Sequence, residues 1–258
     1  MPSAPATDRV AGRAQRVGTV TLVGAGPGDP GLLTIAGRDA LLAADVVVTD
    51  RLVPQATLRD LRAGVEVVDV AKVPGGRSTP QETINALLVE HARAGRDVVR
   101  LKGGDSFVFG RGGEELVACA KAGVPTRVVP GVTSSVAGPA LAGIPVTHRG
   151  LTQGFTVVSG HVPPDHPDCT VDYAALARTG TTIVVLMGVR TLGPITDALV
   201  AAGLPASTPA AIVADAGLPS QRAVRGSVAT IAGLADETGI RPPAVTVIGE
   251  VADVEGLP

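Results

Sequence analysis

The sequence predicts an α/β protein of two domains, the first built on a mostly parallel sheet and the second on a mixed one. Short runs of β-branched residues alternate with stretches of helical spacing, the pattern of βαβ units whose strands are covered on both faces. The 258 residues, 45% hydrophobic and 18% charged, suffice for one large domain or two ordinary ones with real cores. The 33 glycines and 21 prolines fall between the hydrophobic runs rather than in blocks, which marks many short loops.

The elements follow in order. Val20–Val23 is an apolar run ending in glycine and reads as a buried strand. A helix is expected over about Leu32–Ala43, then a strand at Val46–Thr49. Val65–Val70, Val98–Leu101 and Arg127–Val129 are three more strands, with helices at Gln81–Ala94 and Glu114–Ala122 between them. In the second half the strands are Phe155–Ser159, Thr182–Met187, Ala210–Ala214, Ala223–Arg225 and Ala244–Ile248. Helices are expected at Tyr173–Arg178, Leu192–Ala202 and Val228–Thr238. No helix separates Ala210–Ala214 from Ala223–Arg225, which predicts a hairpin and so a mixed sheet. Pro139–Gln153 is rich in Gly and Pro with little amphipathic character, and the domain junction is placed there. The expected organisation is a disordered tail over 1–17, an N-terminal α/β domain over 18–139, a linker over 140–153 and a C-terminal α/β domain over 154–258.

Composition excludes several classes of function. A net charge of −2 gives no basic field for nucleic acid or anionic lipid, and 2% aromatic residues leave almost no stacking platform for bases. Cys119 and Cys169 form neither a disulfide framework nor a metal-ligand pattern, so no metal is expected. No apolar stretch reaches the ~18–20 residues of a membrane helix, and the first sixteen residues lack the apolar region of a secretory signal. The expected location is the cytoplasm.

Gly24-Ala-Gly26-Pro-Gly28-Asp-Pro-Gly31 follows a strand and precedes a helix, which invites a dinucleotide-binding reading. Pro27 and Pro30 oppose it, because they remove N–H donors from the turn that would hold a pyrophosphate. Asp29 stands where the third fingerprint glycine belongs, and no Gly-Lys-Ser/Thr completes a P-loop. What remains is a tight turn at the carboxyl end of a parallel strand, an edge where ligands collect.

The segment LKGGDSFVFGRGGEE, Leu101–Glu115, carries the most chemistry. Gly103 and Gly104 permit close approach of a ligand to the backbone. Asp105 is placed to accept hydrogen bonds from ribose hydroxyls or an amine. Arg111, Glu114 and Glu115 put opposite charges at a helix N-terminus, where carboxylates are favoured.

This segment resembles the signature of the uroporphyrinogen-III C-methyltransferases, within the tetrapyrrole methylase superfamily. VTLVGAGPGDPGLLT (Val20–Thr34), ADVVVTDRLV (Ala44–Val53) and VVPGVTSSVAGPALAGIPVTHRG (Val128–Gly150) resemble further family motifs in the right order. VVLMGV (Val184–Val189) and Ser220–Arg222 agree with the second-domain pattern, so the resemblance runs from about Gly18 to Val251.

The resemblance implies the tetrapyrrole methylase fold of the class III methyltransferases, with S-adenosyl-L-methionine in a cleft between the domains and S-adenosyl-L-homocysteine as product. It places the cofactor on Pro27, Gly103, Gly104, Asp105, Val108, Thr133, Ser134, Met187, Ala216 and Ala244. The family's acid–base pair falls on Asp50 and Lys72. Uroporphyrinogen III carries eight carboxylates, so Arg51, Arg111 and Arg149, all inside matched motifs, are expected to hold its acetate and propionate groups, with Arg77 a weaker candidate. The chain departs from the family at Lys72-Val73-Pro74-Gly75-Gly76-Arg77, which lacks the usual arginine and histidine after the lysine. His148 is the best placed of the four histidines.

The implied reaction is methylation at C2 and then C7, giving precorrin-2 by way of precorrin-1 and feeding sirohaem or cobalamin synthesis. A quaternary ring carbon forms, so a proton must leave elsewhere on the macrocycle, and Asp50 or Glu114 is the expected general base. A homodimer is also implied. A ring methyltransferase acting later in corrin synthesis is the nearest alternative, although such relatives usually lack FGRGGEE. A ribosomal RNA methyltransferase of similar fold is disfavoured by charge and scarce aromatics, and a nicotinamide-dependent dehydrogenase by the prolines of the first loop.

Overall fold

The computed structural model describes residues 16–71 and 79–254. Lys72 and Arg77, with the departure from the family pattern between them, lie outside the described residues.

The first sheet holds β1 (Val20–Gly24), β2 (Val46–Thr49), β3 (Glu66–Asp69), β4 (Val98–Lys102) and β5 (Thr126–Val129). The order is β3-β2-β4-β1-β5 and every pairing is parallel. The three inner strands are almost wholly buried, which is why β1 and β2 read as near-continuous apolar runs, whereas β4 buries Arg100 and Lys102 among its Val and Leu. On one face α1 (Ile35–Ala43) sets Leu41 against Val23, Val47, Val99 and Leu101. On the other, α2 (Gln81–Arg93) and α3 (Gly112–Lys121) set Ile84, Leu88 and Cys119 against Val20, Leu22, Val46 and Val98. Thr34 caps α1, its Oγ1 accepting from Gly37 N at 3.1 Å.

The second sheet holds β6 (Phe155–Ser159), β7 (Thr182–Leu186), β8 (Pro209–Ala214), β9 (Arg222–Ser227) and β10 (Ala244–Ile248), in the order β6-β7-β10-β8-β9. Only β6 and β7 are parallel, and β8–β9 is the hairpin the sequence predicts. The short α5 (Tyr173–Leu176), α6 (Leu192–Ala201) and α7 (Ile231–Glu237) pack on one face around Ile195, Leu199, Ile212 and Ile231. Ile144 packs on the opposite face with Ala211, Val213 and Val247.

One helix was not predicted. α4 (Ser134–Leu141) begins at the end of β5 and lies against β7 and β10 of the second sheet. It contains Pro139 and has no polar face, because its exposed positions, Val136, Ala140 and Leu141, are as apolar as the buried Ala137, Gly138 and Pro139. A helix whose exposed positions are themselves apolar gives no amphipathic signal to read. Among the described residues, no helix is long and apolar enough to cross a membrane.

The topology itself creates a crevice. The chain leaves β1 towards α1 on one face and leaves the adjacent β4 towards α3 on the other. Two neighbouring parallel strands whose connections part in this way leave a gap between their carboxyl ends, the usual ligand position in open α/β sheets.

Candidate functional site

The loops that follow β1, β4 and β5 meet at this gap. Gly26 and Gly104 exchange backbone hydrogen bonds, Gly26 N to Gly104 O at 3.1 Å and Gly104 N to Gly26 O at 2.9 Å. A Cβ on Gly24 would lie 2.5 Å from Gly131 Cα and 2.6 Å from Gly104 O, closer than any side chain tolerates. The three loops are therefore packed backbone against backbone. Asp105 completes the junction: its Oδ1 accepts from Phe107 N at 2.8 Å and its Oδ2 from Gly131 N at 2.9 Å. Each oxygen keeps a further lone pair, and the residue is partly exposed, so the carboxylate can still accept from a ligand.

The second domain closes over this edge. β10 runs antiparallel to both β7 and β8, so its first residue, Ala244, lies at the same edge as the ends of those strands. Met187 follows β7 and is half-exposed, while Ala216 follows β8 and is partly buried. A Cβ on Gly28 would come within 2.1 Å of Ala216 O, so the first loop touches the second domain directly. Gly138 of α4 approaches Val245 and Ala216. Among the described residues, the non-glycine positions with positive φ are Phe109, Arg111, Met187 and Asp215, all in loops at this edge. Such conformations cost energy and persist where surrounding structure enforces them, most often at functional sites.

The structure brings most of the sequence-selected positions to this cleft: Pro27 in the first loop, Gly103, Gly104, Asp105 and Val108 after β4, Thr133 and Ser134 at the start of α4, and Met187, Ala216 and Ala244 opposite. Asp50 and Arg51 follow β2 at the same edge. Arg111 and Glu114 open α3 and form a two-bond fork, Nε to Oε1 and Nη2 to Oε2, both at 2.8 Å. That hydrogen bonding pushes the Arg111 guanidinium further up and holds the Glu114 carboxyl below the usual range, so both are charged. Arg149 is exposed in the segment between α4 and β6, where the neighbouring His148 Nδ1 bonds its carbonyl at 2.9 Å. Leu52, Phe107 and Phe109 are large, exposed apolar side chains in the loops after β2 and β4. No group of three or more His, Cys, Asp and Glu among the described residues could hold a metal.

The sequence pattern that defines the tetrapyrrole (corrin/porphyrin) methylases matches residues 19–232. The chain belongs to the tetrapyrrole methylase family. Its relatives include the S-adenosyl-L-methionine-dependent uroporphyrinogen III methyltransferase of Methanosarcina barkeri, 43% identical over 93% of this chain and 94% of that protein. The siroheme synthase of Zymomonas mobilis is 45% identical over 92% of this chain, which spans 50% of that longer protein. A solved uroporphyrin-III C-methyltransferase from Thermus thermophilus, in complex with S-adenosylhomocysteine, superposes with a TM-score of 0.77 at 43% identity, over 91% of this chain and 98% of that one. This tetrapyrrole methylase thus has the two-domain α/β class III methyltransferase fold expected from its sequence.

Sequence reading missed one feature of the candidate site. Arg100, Lys102 and Glu115 form a buried ionic cluster beneath it, with Glu115 Oε1 3.0 Å from Arg100 Nε and 3.1 Å from Lys102 Nζ. The available signal was charge at alternate positions of a strand otherwise made of Val and Leu, VVRLK. Lys102 is one of only three lysines in a chain with 19 arginines. Burial pushes its ammonium below the usual lysine value, and nearby Arg100 adds to the shift while Glu115 opposes it.

Proposed function

We propose that this chain is an S-adenosyl-L-methionine-dependent uroporphyrinogen-III C-methyltransferase that methylates C2 and then C7 of the macrocycle, giving precorrin-2 by way of precorrin-1. The observation that carries the reading is the cleft at the carboxyl ends of β1 and β4, faced by Met187 and Ala216 and bordered by Arg51 and Arg111, in a chain of this family.

The residues present fit the cofactor. Small side chains at Gly103, Thr133, Ser134, Ala216 and Ala244 leave partly exposed surface on both walls, which suits a flat adenosyl group and a folded amino-acid tail. Asp105 supplies a carboxylate for ribose hydroxyls, and the half-exposed Met187 thioether suits the face of a base. Pro27 and Val108 complete the apolar contacts. When bound, S-adenosyl-L-methionine supplies the methyl group as an activated sulfonium, leaving S-adenosyl-L-homocysteine.

The protein's own work is alignment and proton removal. Arg51, Arg111 and Arg149 bind acetate and propionate carboxylates, and Arg111 does so with a planar fork already oriented by Glu114. Exposed Leu52, Phe107 and Phe109 offer apolar surface to the pyrrole rings and exclude water from the reacting carbon. Asp50 or Glu114 takes the proton that the macrocycle loses once the methylated carbon is quaternary. Lys72 is assigned as the acid partner of Asp50 from the family resemblance alone. The same reading carries a homodimer in the cytoplasm whose product enters sirohaem or cobalamin synthesis.

The decisive experiment incubates the purified chain with uroporphyrinogen III and S-adenosyl-L-methionine. The expected result is a product heavier by two methyl groups, with the absorbance change of ring methylation and stoichiometric S-adenosyl-L-homocysteine. An unchanged tetrapyrrole mass would remove the assignment.

A further inference from the structure

The face of the first sheet that carries α2 and α3 is apolar at one end and ionic at the other. Along β4 it presents Val98, then Arg100, then Lys102. Along β2 it presents Val46 and Val48, and Asp50 follows just beyond the strand. The first turns of the two helices close over this end: Gln81 Nε2 reaches Glu115 Oε1 at 3.3 Å, the same oxygen that receives Arg100 and Lys102. Arg100 Nη1 also donates to the carbonyls of Val48 and Leu101, at 3.3 and 3.0 Å. Its Nη2 then extends to Asp50 Oδ2 at 3.4 Å.

Exposure decides what the cluster is for. Glu115, Arg100 and Lys102 have side chains 0%, 3% and 6% exposed, whereas Asp50 is 27% exposed. Of the two carboxylates that hold Arg100, only Asp50 reaches the surface, at the edge of the cleft, while Gln81 links the cluster to partly exposed Asn85 on α2. Both oxygens of that carboxylate are held, because Oδ1 accepts from Leu52 N at 3.1 Å. Stability alone does not account for such a cluster, since buried ion pairs are often matched or bettered by hydrocarbon of equal volume.

We propose that Arg100, itself fixed by Glu115, is the positioning residue for Asp50. Glu115 orients the guanidinium from below, and the guanidinium orients Asp50 towards the macrocycle. The inference rests on the reading of Asp50 as general base.

A double-mutant cycle on the purified full-length chain tests it, with kcat and KM measured for uroporphyrinogen III and Kd for S-adenosyl-L-homocysteine. Arg100→Met is expected to lower kcat by about 10- to 100-fold, the scale of a misplaced catalytic group, while KM and Kd stay within about 2-fold. In an Asp50→Asn background the same substitution is expected to cost less than about 2-fold, because two residues acting as a unit are not additive. Losses that multiply would overturn the positioning role while leaving Asp50 as the base. A wild-type kcat for Asp50→Asn would instead overturn both. Should Arg100→Met fail to fold, Glu115→Gln keeps the shape of the cluster and enters the same cycle with the same expectation.

Discussion

At the scale of single residues, the candidate site presents charged groups that already have hydrogen-bond partners. Arg111 is in the left-handed region at φ 59° and its fork is filled by Glu114. On the proposed reading, a substrate carboxylate meets a cation that is oriented but paired, so binding is an exchange of partners. Arg111→Ala is expected to lower kcat with uroporphyrinogen III on the order of 100-fold, as for loss of a charged group at a reacting centre, while S-adenosyl-L-homocysteine binds within about 2-fold of wild type. Steady-state kinetics beside calorimetric titration separates the two effects. Asp105 shows what sequence can and cannot say at this scale. The motif marks it as a ligand residue, but only the fold reveals that it also ties the β4 loop to Gly131. Arg100 and Lys102 stayed unread, and Glu115 was read only as a helix-start acid, for a related reason: a charged side chain in a sequence is taken as a solvated one, and only tertiary packing shows it buried.

At the scale of elements, the strands were the most legible part of the chain. β2 is VVVT and β10 is AVTVI, runs whose burial on both faces is written in their composition. α4 was illegible because its information is not periodic, and the close approach of Gly138 to Val245 belongs to a neighbour more than a hundred residues away. α2 was legible from Ile84 and Leu88, yet the same inward face carries a residue whose consequence sequence alone does not show. His91 is buried on it, and burial, reinforced by nearby Arg96, holds its imidazole below the usual histidine value. The unfolded chain therefore takes the proton at higher pH than the folded one. Stability present above the ordinary histidine pKa is lost as pH falls from there through the lowered one. His91→Leu is expected to flatten the decline in Tm between about pH 7 and about pH 5, measured by thermal unfolding across that range.

At the scale of the whole molecule, the cleft exists because two sheets with separate cores are joined by contacts too close for side chains. The decisive one is at Gly28, which has φ 61° and faces Ala216 O and Gly217. Gly28→Ala places a methyl group inside that contact and forces the domains to part. Each sheet keeps its own core, so far-ultraviolet circular dichroism is expected to stay unchanged while the Kd for S-adenosyl-L-homocysteine rises about 10-fold or more, equivalent to about 1.4 kcal/mol. Wild-type affinity in that variant would show that cofactor binding does not depend on this junction. The motifs pick out candidate cofactor positions in both domains, but their meeting at one edge follows from the antiparallel setting of β10, which no local signal carries.

The strand order of the first sheet also has a consequence for how the protein is made. β1 is finished at residue 24, yet its two neighbours end at residues 102 and 129. At a synthesis rate of about 5–20 residues per second, the apolar segment VTLVG leaves the ribosome several seconds before either partner exists. During that interval it is an unpaired strand with both edges open, the kind of segment that chaperones hold and that aggregates when they are scarce. The centre of the binding cleft is thus laid down first and completed only when β5 arrives.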